Sequence, residues 1–90
     1  MSNEKETRTE ALERMQYEAE NELRKIQQKY EREVEELTES TKKARQSTKN
    51  ANELDKIHKH FEWELKQIVK RQNDDCYEVQ RRFFEKAKDL

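Results

Sequence analysis

From Leu54 to Leu90 the apolar residues keep a fixed rhythm: Leu54, Ile57, Phe61, then Leu65, Ile68, Gln72, then Cys76, Val79, Phe83, then Ala87 and Leu90. The steps are 3, 4 and 4, repeated, and Gln72 is the one polar residue among the eleven positions. Eleven residues in three turns is close to the natural period of an α-helix, so such a row stays on one side of a nearly straight or slightly right-handed helix. One helix cannot bury that row by itself. A second helix has to cover it, which makes the expected fold all-α: a long helix or helical hairpin in a coiled coil or antiparallel helix bundle.

An earlier series carries the same period: Leu12, Met15, Ala19, then Leu23, Ile26, Tyr30, then Val34, Leu37, Thr41. It is the weaker seam, because Ala19 and Thr41 are small and Tyr30 keeps a polar tip. The two series differ in phase. Two further repeats from Val34 lead to position 56, whereas the second series starts at Leu54. Two residues correspond to a rotation of roughly 200° at about 100° per residue, so the seam moves most of the way round the helix between the halves.

The join lies between Thr38 and Asn52, where Thr38, Ser40, Thr41, Ser47, Thr48, Asn50 and Asn52 crowd together. In one reading the helix ends near Ser47 to Asn50 and restarts with Asn52 as N-cap and Asp55 three positions later, giving an antiparallel hairpin. In the other, a single helix of about 80 residues, ~120 Å long at the helical rise, runs through and presents different faces along its length. Ala44, Thr48 and Ala51 continue a thin seam and no Gly or Pro interrupts it. The continuous rod is therefore the expected form. The segments are residues 1–11 as a polar lead-in, 12–44 as a first helical segment, 45–52 as the phase shift or turn, and 53–90 as the second helical segment. Asn3 with Glu6, and Thr7 with Glu10, are the two candidate helix starts, each a cap residue followed three positions on by an acid.

Composition argues against a monomeric globule: 46% of residues are charged, 30% are hydrophobic, and Gly and Pro are absent. The same balance is a mark of disorder, but a disordered chain has no reason to keep a 3-4-4 step over more than thirty residues. Charge is segmented, with −5 over residues 1–39, +5 over 40–72 and −1 over 73–90. Parallel helices in register would set like beside like, whereas an antiparallel arrangement brings an acidic third against a basic middle.

No residue set points to catalysis. His58 and His60 are two positions apart, which places the rings on different sides of a helix, and His58 is better placed to pair with Glu62. Cys76 stands sixteen residues from the nearest histidine, ~24 Å along a helix, and reads as a small seam residue in a reducing compartment. The chain has no Gly-rich phosphate loop and no paired-cysteine motif, so the expectation is no enzyme, no metal, no cofactor and no small-molecule substrate. Two further features remain. Lys42, Lys43 and Arg45, with Lys49 beyond, form a short basic patch that could sit near nucleic acid or pair with acids. Trp63, Tyr77 and Phe84 lie outside the main seam as a second aromatic stripe, and a wider apolar arc is the mark of three, four or more helices in contact.

In style the chain resembles the long, charged, Gly- and Pro-free helices of chromosome-axis, cytoskeletal, centrosomal and vesicle-tethering proteins, though no motif selects among them. The expected function is an oligomerisation and protein–protein interaction module acting as a scaffold or spacer, its partner itself or a similar helical protein, as an antiparallel dimer or tetramer. The alternative is a regulatory or nucleic-acid-associated adaptor using the basic middle. With no signal-peptide core and no apolar run of ~20 residues to span a membrane, the expected location is intracellular, cytoplasmic or nuclear.

Overall fold

The computed structural model describes residues 6–90. Two helices, α1 (Arg8–Gln46) and α2 (Ala51–Lys88), pack against each other in antiparallel fashion, and no strand occurs among the described residues. The molecule measures 73 × 22 × 12 Å. The fold is thus an all-α helical hairpin. Helix α1 starts at Thr7, whose hydroxyl accepts the Glu10 amide at 3.1 Å, which satisfies one of the donors that a helix N-terminus leaves open. The alternative start at Asn3 falls outside the described residues.

The continuous rod is corrected by the reversal at Ser47–Asn50. Three features of the chain build it without Gly or Pro. The Ser47 amide is shared by the Lys43 and Ala44 carbonyls, both at 3.2 Å, while its hydroxyl donates to Lys43 O, closing the last turn of α1. Thr48 accepts the Asn50 amide and donates to the Glu53 carboxylate. Asn50, in an extended conformation, then accepts the amides of Asn52 at 2.8 Å and Glu53 at 3.4 Å and is the N-cap of α2. The cap therefore lies two residues before Asn52, and Glu53, not Asp55, holds the third helical position. No described residue has positive φ, so the turn never enters the region where glycine is needed. Ser, Thr and Asn compete with helical bonds by bonding nearby backbone, and here they do so in one cluster.

The reversal also accounts for the phase difference between the two series, since each helix turns its own apolar row toward the other. Met15, Tyr30, Thr41, Ile68 and Val79 are buried, together with Ala11, one position before the first series. Leu12, Ala19, Leu23, Ile26, Val34 and Leu37 on α1 are half-buried, as are Leu54, Ile57, Phe61, Leu65, Gln72, Cys76, Phe83 and Ala87 on α2. Leu90 departs from this pattern: it is 45% exposed. Helix α2 ends at Lys88 with Asp89 as its C-cap, so Leu90 lies beyond the helix and its side chain no longer follows the helical phase. No described side chain is sealed completely from water. Two helices cover only one stripe of each other, which leaves the core one layer deep.

Candidate interaction surface

The two edges of the interhelix seam differ. One edge is lined by residues that stand one position before a seam residue: Glu22 before Leu23, Glu33 before Val34, Arg71 before Gln72, Asp75 before Cys76 and Arg82 before Phe83. Across it, Arg82 donates to Glu22 at 3.1 Å and Arg71 approaches Glu33 at 3.5 Å. At its middle the Tyr30 hydroxyl, on a side chain only 3% exposed, donates to Asp75 Oδ2 at 2.6 Å. That bond to a carboxylate, reinforced by burial and by the nearby Asp75 charge, holds the Tyr30 phenol neutral and pushes its pKa up to about 12. Lys29 Nζ stands 5.0 Å from the centre of the Tyr30 ring and the Arg71 guanidinium 5.9 Å from it, within the range of cation–π attraction.

The opposite edge is lined by residues one position after a seam residue. Between the helices runs a shallow groove formed by Ala19, Leu23, Phe83 and Phe84, with Gln16, Glu20 and Gln80 at its rim. No ion pair crosses this edge among the described residues. Further along α2, Val69 is exposed beside Leu65. Tyr77 and Phe84 are 67% and 65% exposed, and the ring of Phe84 meets that of Phe83 edge to face at 5.9 Å. Trp63, 57% exposed, stands two positions from both Phe61 and Leu65 and so lies farther round the helix, away from the seam. The hairpin covers none of the three aromatics.

The hairpin brings Lys42, Lys43, Arg45 and Lys49 to the turn, where all four side chains are exposed. Among the described residues no carboxylate pairs with them, while nearby Lys59 is held by Asp55 at 3.0 Å. His58 and His60 each lie against a glutamate one turn on, Glu62 at 3.0 Å and Glu64 at 3.7 Å, on the exposed surface. The described residues hold no group of three His, Cys, Asp or Glu side chains placed to bind a metal, and no described helix is long and apolar enough to cross a membrane.

The residue that the apolar pattern alone misses is Asp75. A tyrosine on a seam needs an acceptor for its hydroxyl, and the carboxylates beside the facing seam were the places to look. Charge also pairs within one chain: the acidic stretch of α1 from Glu31 to Glu39 lies toward the basic stretch of α2, as Glu33 and Arg71 illustrate. The fold and surface together define a helical hairpin with one edge closed by polar bonds and the other crossed by no ion pair among the described residues. Comparison with protein-family models, curated proteins and solved structures finds no match to this chain.

Proposed function

We propose that this chain is an oligomerisation and protein–protein interaction module, a coiled-coil-type scaffold or spacer with 11-residue seams and without catalysis, whose partner is a second copy of itself or a similar helical protein. The observation that carries this reading is the surface left uncovered. The chain of 11.1 kDa exposes 7764 Å², against about 5,700 Å² for a compact folded protein of that mass. Tyr17, Trp63, Tyr77 and Phe84 contribute large rings to that surface. Association would cover part of this area and turn a two-helix layer into a bundle with a thicker core.

The test is the mass of the isolated chain by light scattering across a concentration series, with circular dichroism on the same samples. A multiple of the chain mass, and helicity that falls on dilution, are the expected results, because association stabilises by mass action. A monomeric mass with concentration-independent helicity would overturn the reading. A second reading, a nucleic-acid-associated adaptor, is favoured by the gathering of Lys42, Lys43, Arg45 and Lys49 at the turn. Retention on a phosphate-rich column at low salt, lost steeply as salt rises, supports it; flow-through at low salt removes it.

A further inference from the structure

Five residues of α2 stand one position after five successive seam residues: Val69, Asn73, Tyr77, Gln80 and Phe84 follow Ile68, Gln72, Cys76, Val79 and Phe83. Because they share the seam's period, they form a parallel row along the open edge. All five are exposed. None is charged, in a chain whose residues are 46% charged. The row covers about four turns and is bounded by Lys66 before Val69 and Lys88 after Phe84, the preceding and following members of the same series.

Read in either direction the row has the same chemistry: apolar, amide, tyrosine, amide, apolar. Val69 lies eight residues before Tyr77 and Phe84 seven after it, a mismatch of one residue, ~1.5 Å along the axis. Such a row is complementary to itself when reversed, which is the requirement of an isologous two-fold contact. We infer that α2 carries a two-fold dimer contact in which this row packs antiparallel against the same row of a second copy, Tyr77 on the axis, Val69 facing Phe84 and Asn73 facing Gln80. The inference rests on the self-association proposed above and assigns it a surface and a symmetry.

Charge on the outer flank of the row fits the same arrangement. Lys70 and Asp74 lie on one side of Tyr77, Arg81 and Glu85 on the other, while Glu78, beside the axis and so near its own copy, is already neutralised by Arg81 of its own helix. Reversal about Tyr77 sets Lys70 near Glu85 of the second copy and Asp74 near Arg81, opposite signs in both cases, whereas a parallel alignment sets each charge beside its own kind. Within its own helix Arg81 already holds Glu78 at 2.6 Å and Glu85 at 2.7 Å, so its guanidinium is oriented along this flank.

The test uses the full chain with Cys76→Ala as background, so that any added thiol is the sole one. Tyr77→Cys and Trp63→Cys are each oxidised with copper phenanthroline and read on a non-reducing gel, with the mass of every sample taken by light scattering beforehand. Rapid disulfide-linked dimer from Tyr77→Cys and little from Trp63→Cys is the expected result, since only a residue on the axis meets its own copy. In the natural background, Tyr77→Glu and Val69→Lys should each weaken association about a hundredfold, as for residues central to an interface. Both change exposed residues, so helicity at high concentration should be kept, and Trp63→Glu should leave the dimer intact. An oligomer that cross-links through Trp63→Cys instead, or that survives both Tyr77→Glu and Val69→Lys, would overturn this contact while leaving self-association standing. A monomer at every concentration would overturn both.

Discussion

Along the edge that holds Glu22, Glu33, Asp75 and Arg82, the two helices meet through polar contacts, whereas along the edge that holds Leu23, Val69, Gln80 and Phe84 they leave apolar side chains in water. Each helix was given the same seam, and the neighbours of that seam differ by position alone: acids and arginines predominate before it, amides, Val and Phe stand after it on the second half of α2. A polar edge of this kind is specific more than strong. Exposed ion pairs contribute only a fraction of a kcal/mol, but they penalise the wrong alignment of two helices. The uncharged row of α2 on the open edge has the opposite character, since its apolar side chains gain from being covered.

The contrast between the edges exists only if the chain reverses, so the measurement with the largest effect concerns the turn. Spin or fluorescent labels at Glu10 and Lys86 should report a separation of a few tens of Å within one chain, where a continuous helix would hold them ~114 Å apart. Insertion of Gly-Gly after Lys49 should be tolerated there, because it lengthens a turn and interrupts no helix. A long distance in samples diluted with unlabelled chain would remove the hairpin and both of its edges.

Next in size is the seam that the two edges share. Ile68→Ala, at a side chain 4% exposed, should cost about 2–5 kcal/mol through lost burial and the cavity left behind, read by urea denaturation. Lys66→Ala or Lys70→Ala, on exposed positions of the same helix, should change stability by less than about 0.5 kcal/mol. Equal effects at the two kinds of position would mean that the covered face has been assigned wrongly.

The polar edge is sharpened by Tyr30→Phe, which keeps the ring and removes the donor to Asp75. The expected loss is about 1–2 kcal/mol, because the carboxylate loses a buried partner. Alkaline titration gives an independent reading. In the folded chain Tyr30 holds its proton to about 12, above its ordinary 10.0, so between those values the folded state binds more protons than the unfolded one and stability falls as pH rises. The contribution is intact below pH 10.0 and gone above about 12. Tyr30→Phe should lack this part of the decline, and identical alkaline profiles for the two proteins would show that the hydroxyl is not held as described. The smallest effect is expected for Glu22 and Arg82, where a double-mutant cycle should give a coupling of about 0.2–1 kcal/mol that shrinks with added salt.

The all-α character was legible in the sequence from spacing alone, because only helices make use of a 3-4-4 step. The turn is marked in the sequence by the phase difference between Val34 and Leu54, against which the lack of Gly and Pro favours an unbroken helix. That difference was the better signal: a seam that rotates by roughly 200° within one helix faces nothing, whereas one that rotates across a reversal faces its mate. The polar cluster Ser47, Thr48 and Asn50 pointed to the same place, with Asn50 nearer the true cap than Asn52. The polar edge was hidden for another reason. Asp75, Glu33 and Arg71 acquire meaning only when two helices are laid side by side, and no single-helix pattern contains that alignment.

The reversal at Ser47–Asn50 proceeds without any left-handed residue, and its consequence lies in the state that precedes folding. A turn that required glycine would admit a residue whose backbone roams more widely than any other in the unfolded chain, and fixing it would cost about 0.5–1 kcal/mol more than fixing an alanine. This chain has no glycine at all, so the reversal adds none of that cost to what the one-layer core has to offset.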